Sequence, residues 1–468
     1  MYQIKFGTDG WRAIIAKEFT VENVARVTEG TVKWLKQQKP GASVVVGHDC
    51  RFAGDLFAET TAKVLLHHGI KVYLAKGFVS TPMVSLGARN YGADLGIIVT
   101  ASHNPPSYNG YKLKASYGGP LSPEGIAEIE PLIPEVAQTP LDSLKLSDFE
   151  ASGMLKIVPL EDDYIRHVEA SFDLDAIRNS NLNLAYDAMY GAGQNVIRRL
   201  FPDATLLHCE HNPSFDGQAP EPILRNLEEF ASVIRESGDI DVGLATDGDA
   251  DRIGLFDSKG NFVDSHHIIL LLIHYLAKYK GMSGKVCTAF STTVKIKNMC
   301  EHYGLPLEVV KIGFKYICGI MVKEDVLVGG EESGGIAIKG HIPERDGIWM
   351  GLVIWEFMAR SGKSLNELIE EVYAITGTFA FERIDLHLEE ADKNRIVENC
   401  KNGSYKAFGS YTVQRVDDLD GWKFFFDENR WVMIRASGTE PVLRTYAEAA
   451  TRDEAFAILD ATHKALLG

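Results

Sequence analysis

The densest chemistry in the chain lies in Asp247-Gly-Asp249-Ala-Asp251-Arg252. Carboxylates at alternate positions of an extended segment point to one side, so three oxygens can converge on a single hard cation. Like charges gathered this way are costly unless something positive sits among them. The run Val242-Gly-Leu-Ala245 before the cluster reads as a buried strand, and α/β sheets place their ligands at the carboxyl ends of strands. A calcium loop starting at Asp247 would need glycine at its sixth position and glutamate at its twelfth; the chain has Arg252 and Ser258 there. A Walker-type phosphate loop also fails, because Gly362-Lys363-Ser364 has Phe357 where the first glycine belongs and follows a helical pattern. What remains is an oxygen-rich site suited to Mg²⁺, with a solvated acidic turn as the alternative.

Three further loops carry reactive or binding groups. Ser102, in Thr100-Ala-Ser102-His103-Asn104-Pro105, is a candidate nucleophile, and serine needs a base or a nearby cation to act as one. His103 is its neighbour, but adjacent side chains usually diverge, which argues against a local Ser–His pair. No G-x-S-x-G elbow surrounds Ser102, so acyl hydrolysis is disfavoured. Arg435-Ala-Ser437-Gly438-Thr439-Glu440-Pro441, followed by Arg444, offers guanidiniums, hydroxyls and exposed backbone N–H groups. That is either an anion cradle or an ordinary turn between strands. Glu331 and Ser333 stand among glycines, as partners for sugar hydroxyls or as parts of a flexible turn. The consecutive spacing of His208-Cys209-Glu210-His211 scatters ligands over both faces of a strand and points to structure rather than to a metal.

The elements needed to position these loops recur along the chain. Strands are predicted at 43–47, 72–75 and 94–99, with a helix at 55–68. A second set has strands at 182–186, 205–209 and 242–245, with helices near 194–200 and 227–237. A third has helices at 266–280, 293–303 and about 314–322, with strands at 285–289, 307–311 and 326–328. Each set resembles a parallel βαβ unit, and each ends in a polar loop. After a helix at 365–374 come closely spaced, antiparallel strands at 422–426, 430–434 and 443–447 and a helix at 453–467. The expected fold is α/β: three similar α/β domains with mixed or mostly parallel sheets and a C-terminal α+β domain. The expected bounds are 1–145, 155–257, 258–375 and 377–468, with the polar run 134–152 as the first linker.

At 468 residues the chain has room for roughly three or four domains. A net charge of −16 argues against nucleic acid and offers no basic tract to an anionic membrane. Six cysteines without a C-x-x-C pair suit a reducing compartment. No secretory signal is visible, and the apolar stretch at 268–276 falls far short of the ~20 residues of a membrane span. A cytoplasmic protein, monomer or homodimer, is expected.

The four loops, in this order, resemble those of the α-D-phosphohexomutases, the family of phosphoglucomutases and phosphomannomutases. Thr100–Pro105 is similar to the phosphoserine loop, Asp247–Arg252 to the metal loop, Glu331–Gly335 to the sugar loop and Arg435–Pro441 to the phosphate-binding loop. Phe6-Gly-Thr-Asp-Gly10-Trp-Arg12, Asn109-Gly-Tyr-Lys112 and Gly313-Phe-Lys315 extend the resemblance. It implies four domains around a central cleft and a phosphorylated hexose as substrate. Ser102 would carry a phosphoryl group, with Mg²⁺ held by Asp247, Asp249, Asp251 and a phosphoserine oxygen. Arg12, Lys112 and Arg252 would stabilise charge or assist proton transfer, with His103 in support. Glu331, Ser333, Lys315 and His341 would bind the sugar; Arg435, Ser437, Gly438, Thr439 and Arg444 would grip the phosphate that is not reacting. A hexose 1,6-bisphosphate would serve as intermediate and activator. The sugar loop Glu331-Glu-Ser-Gly-Gly335 and His341-Ile-Pro-Glu-Arg345-Asp-Gly347 resemble the glucose-preferring branch, and Gly335 stands where many dual glucose/mannose enzymes of the family carry a histidine. Mannose and glucosamine phosphates remain alternatives, as do a Mg²⁺-dependent sugar phosphatase and a silent sugar-phosphate binder.

Overall fold

The computed structural model describes residues 2–436 and 442–468. Among these the larger sheets number four. The first runs Trp11–Ile14, Tyr108–Ala115, Leu95–Val99, Ser43–His48, Lys71–Ala75 and Leu155–Val158. The second runs Phe262–Val263, Ile253–Asp257, Val242–Thr246, Leu184–Asp187 and Thr205–Leu207; the third runs Leu307–Val310, Lys285–Ala289, Val326–Gly330 and Ile336–Ile338.

All three share one device. The central strands are parallel, but the strand entering each polar loop is paired antiparallel with the strand leaving it. Leu95–Val99 returns as Tyr108–Ala115, Val242–Thr246 as Ile253–Asp257, and Val326–Gly330 as Ile336–Ile338. The expected βαβ units are therefore mixed sheets, each with a hairpin-like edge. The returning arms escape a pattern search because two are short or lie directly beside the polar cluster. Val242–Thr246 and Leu95–Val99 are buried throughout, as strands covered on both faces must be.

The first boundary is corrected too. Leu155–Val158 pairs in parallel with Lys71–Ala75 and so completes the first sheet. The run 134–152 is no free linker, since Leu141, Leu146 and Phe149 pack on the first core and Glu29 accepts bonds from the backbone of Gln138 and Thr139. Polarity in that run reflects its outer face only.

One helix knits the central domains together. Gly347–Ser361 is apolar on nearly every side and buried along most of its length, which marks a helix surrounded by protein. Its Trp349, Leu352 and Trp355 share a core with Val45, Ile98, Leu244 and Val328 of the first three sheets. The fourth sheet, antiparallel between all neighbours from Ala380–His387 to Arg415–Asp417, keeps a core of its own with the helix Arg452–Leu467. No helix among the described residues is long and apolar enough to cross a membrane.

Candidate active site

Sheet register sets the first side chains. Lys112 lies opposite Ile98, and Arg12 opposite Gly110, so both stand beside the end of the strand that feeds the serine loop. Ser102 itself is fully buried and left-handed, with φ 54°, a conformation that non-glycine residues hold only when their surroundings enforce it. The kink brings Ser102 Oγ within 3.4 Å of His103 Nδ1. Adjacent side chains thus converge here, against expectation, because the backbone is not extended. Oγ also donates to Asp247 Oδ2 at 2.8 Å. The His103 imidazole is held well below its ordinary pKa by burial and by the cations Arg252, Arg12, Lys112 and Arg51 around it, so the ring is neutral at pH 7.

The aspartates converge by a different route from the one expected. The strand stops at Thr246, and residues 247–251 form a turn with Ala250 left-handed at φ 55°. Asp247 Oδ1 closes the turn by accepting from the backbone N–H groups of Asp251 (2.9 Å) and Arg252 (3.1 Å). Alternation along a strand plays no part. One oxygen from each of the three lies within 4.8 Å of the others.

Partners are distributed unevenly among these oxygens. Asp249 Oδ2 accepts from Thr81 Oγ1 and, at 2.8 Å, from Lys112 Nζ. Asp251 Oδ2 accepts from Arg345 at 2.5 Å and Lys112 at 3.3 Å. Asp249 Oδ1 and Asp251 Oδ1 are buried and make no hydrogen bond among the described residues. Buried anionic oxygens without partners are costly, and hard oxygens in this arrangement fit Mg²⁺. Burial, then the charges of Asp249 and Asp251, push the Asp247 carboxyl well above its usual range. Burial acts likewise on Asp249, but Lys112, Thr81 and Arg345 together outweigh it and hold that carboxyl low.

Lys112 is the hub of a web spanning three domains. Its Nζ lies 2.8 Å from Asp9 and 2.8 Å from Asp249. Arg345 bridges Asp9 and Asp251 at 2.5 Å each, while Lys114 pairs with Glu344 at 2.7 Å, which also accepts from Ser85. Asp9, Arg345 and Glu344 are absent from the sequence-derived set, although both motifs containing them stand out in the sequence. Arg12 donates to Asn104 Oδ1 at 2.6 Å. Arg252 lies 3.9 Å from Asp251, and its Nε makes no hydrogen bond among the described residues. Gly248 sits so close to the serine loop that a Cβ there would lie 2.5 Å from the Ser102 carbonyl oxygen.

The third loop faces this web. Glu331 is buried, accepts from the Gly313 N–H at 2.9 Å, and is pushed up to about 7 by burial. Ser333 is half-buried, as is Lys315, whose Nζ lies 5.5 Å from the Tyr316 ring. Gly335 leaves no room for a side chain: a Cβ would meet Arg345 Cδ at 2.3 Å. His341 stands apart from these residues. Its ring stacks on Trp349 at 3.8 Å and bonds to Asp346 (2.9 Å) and His167 (3.2 Å), which fits it for anchoring the start of the helix Gly347–Ser361. His208 likewise pairs with Asp187 at 3.0 Å.

In the fourth domain, Arg435 and Arg444 face each other across neighbouring strands. Arg435 pairs with Asp420 at 3.1 Å and Arg444 lies 3.7 Å from Asp385. Ser437, Gly438 and Thr439 lie outside the described residues.

Comparison with known proteins agrees along the chain. Residues 3–139, 162–260 and 264–375 match the models for Phosphoglucomutase/phosphomannomutase alpha/beta/alpha domains I, II and III, and residues 393–465 match that for the C-terminal domain. The chain is 29% identical over 455 residues to the phosphoglucomutase/phosphomannomutase of Thermococcus kodakarensis, covering 96% of this chain and 95% of that one. It is 30% identical over 420 residues to the phosphoglucosamine mutase of Methanococcus maripaludis, covering 87% and 88%. A crystal structure from Thermus thermophilus, provisionally described as a phosphomannomutase, superposes with a TM-score of 0.87 at 34% identity over 100% of both chains. Fold, loop order and these matches together place the chain in the phosphoglucomutase/phosphomannomutase family, and it is a phosphohexomutase, an enzyme of intramolecular phosphoryl transfer.

Proposed function

We propose that the enzyme interconverts glucose 1-phosphate and glucose 6-phosphate, with Ser102 as the phosphoryl carrier. The observation that carries this reading is the placing of Ser102 Oγ 2.8 Å from Asp247, beside two carboxylate oxygens that make no hydrogen bond among the described residues. Mg²⁺, on which the family depends, would be held by Asp247, Asp249 and Asp251 together with a phosphoserine oxygen, and when bound would offset negative charge at the reacting phosphorus.

In the forward half-reaction the P–Oγ bond of phosphoserine breaks and a bond forms from phosphorus to the free 6-hydroxyl oxygen of the sugar. Neutral His103 supports removal of the hydroxyl proton, directly or through water. Lys112, kept cationic by Asp249, Asp251 and Asp9 against the effect of burial, cannot serve as that base and acts as a fixed positive charge. Arg12 and Arg252 flank the same space. The resulting hexose 1,6-bisphosphate turns around and returns its other phosphoryl group to Ser102, releasing glucose 6-phosphate. Arg435 and Arg444, with Ser437, Gly438 and Thr439, hold whichever phosphate is not reacting. Glu331 and Ser333 contact the sugar hydroxyls, with Lys315 beside them. The absence of space at residue 335, filled by Arg345, supports glucose over mannose because no histidine can enter there.

The test is a coupled assay of glucose 1-phosphate, mannose 1-phosphate and glucosamine 1-phosphate with Mg²⁺ and a trace of glucose 1,6-bisphosphate, run beside Ser102→Ala. Glucose 6-phosphate should form fastest from glucose 1-phosphate, and Ser102→Ala should lose about 10⁴-fold or more. Faster turnover of the glucosamine or mannose substrate would overturn the sugar assignment alone. Undiminished turnover by Ser102→Ala would overturn the carrier.

A further inference from the structure

Arg51 belongs to none of the four loops, yet its side chain is fully buried beneath the serine loop. It follows Ser43–His48, the parallel neighbour of Leu95–Val99, so its segment and the serine loop leave the sheet side by side. One terminal nitrogen of its guanidinium donates to the carbonyls of Ser102 at 2.6 Å and Asn104 at 2.7 Å. The other donates to those of Pro105 and Tyr108, both at 3.0 Å. Nε faces Asp49 Oδ2 at 3.4 Å, and the planar group lies 5.0 Å over the ring of Phe215, from the second domain. Asp49 also accepts from Thr100 Oγ1 at 2.5 Å, which in turn accepts from the Ser102 N–H at 2.9 Å. Both the N–H and the carbonyl of Ser102 are therefore held by one connected group.

We infer that Arg51 is a positioning residue for phosphoryl transfer: by gathering three carbonyls of the serine loop and that of Tyr108, where the returning strand begins, onto one buried cation, it fixes where Ser102 presents its phosphoryl group. This rests on the reading of Ser102 as the carrier. A left-handed serine persists only under constraint, and Arg51 and Thr100 supply the constraint at its two peptide groups. The electrostatics act in the same direction. Carbonyl oxygens carry partial negative charge and would repel a phosphoryl dianion, and four of them are instead turned toward the guanidinium. A lysine cannot replace it, because a single ammonium lacks the planar fork that serves four acceptors at once. Phe215, seated against the face of that fork, links the serine loop to the metal-binding domain.

The experiment compares wild type, Arg51→Lys and Ser102→Ala in steady state with glucose 1-phosphate, Mg²⁺ and a trace of glucose 1,6-bisphosphate. Intact mass reports the phosphoenzyme, and thermal unfolding reports the fold. Arg51→Lys should lose about tenfold to a hundredfold in kcat with KM unchanged, and its phosphoserine should discharge to sugar correspondingly slowly. Should Arg51→Lys fail to fold, Thr100→Val and Phe215→Leu take its place, each expected to lower kcat and not KM. Full kcat in a folded variant, or an effect confined to KM, overturns the inference. If Ser102→Ala is dead while Arg51→Lys is fully active, only the role of Arg51 falls; if Ser102→Ala is active, the carrier assignment falls with it.

Discussion

The reaction centre and the arginine pair of the fourth domain treat charge in opposite ways. At the centre, Asp247, Asp249, Asp251 and Lys112 are all at most 1% exposed, and their partners come from three domains. In the fourth domain Arg435 and Arg444 are about a quarter exposed, at 23% and 29%, and among the described residues each pairs with one carboxylate. Like charges directly opposite on neighbouring strands repel, and Asp420 and Asp385 offset that repulsion. The difference separates preorganisation from readiness. The centre is assembled before substrate arrives, while under the proposed function the arginines would exchange half-solvated partners for a phosphate dianion.

The contrast is broken most forcefully at the centre. Asp251→Asn removes the carboxylate charge and one of its two oxygens, either the one left free of hydrogen bonds or the one that Arg345 holds, and is expected to cost about 10³-fold in kcat. By comparison, Arg444→Ala should leave kcat nearly intact and raise KM about tenfold to a hundredfold, the loss of one charge-assisted bond. Steady-state kinetics on the two variants decide the matter, and equal losses in the same parameter would erase the distinction.

A smaller effect tests what completes the centre. In the unphosphorylated enzyme the Ser102 hydroxyl donates to Asp247; phosphorylation replaces that donor with acceptors among three carboxylates. Mg²⁺ should then bind about tenfold more tightly, by the added attraction across a few ångströms, as calorimetry on the two forms can measure. Equal affinities would show that the phosphoryl group does not reach the cation.

The gentlest probe is pH. Because burial and neighbouring cations hold His103 below its ordinary value, the imidazole stays neutral as pH falls through 6.5, the ordinary value for the group. The acid limb of kcat/KM should therefore begin below that point. A limb centred at or above 6.5 would remove His103 from proton transfer.

Much of this architecture is legible in the sequence because apolar periodicity reports burial directly. The helix Gln194–Leu200 and the strand Lys285–Ala289 lie where the pattern puts them. Ser102 and the aspartates are brought together as their loop positions suggest, but the means are not legible. Left-handed residues at Ser102 and Ala250 close the turns, and nothing in their side chains announces it. Asp9 and Arg345 escape notice because their significance lies in contacts 336 residues apart. Arg51 did leave a signal, since Asp49-Cys-Arg51 is another polar segment at the carboxyl end of a buried strand. His341 misleads for the converse reason: a histidine inside a family-like motif is spent on stacking and helix anchoring.

Gly248 gives the centre its scale. The backbone of the aspartate turn rests against the backbone of the serine loop with no side chain between them. The distance between the aspartate turn and the serine loop is thus gauged by main chain against main chain, as a machinist sets clearance with a bare shim. Side chains in the surrounding wall can change without altering that clearance. A single added methyl at residue 248 would alter it while leaving the chemistry of every reacting group untouched.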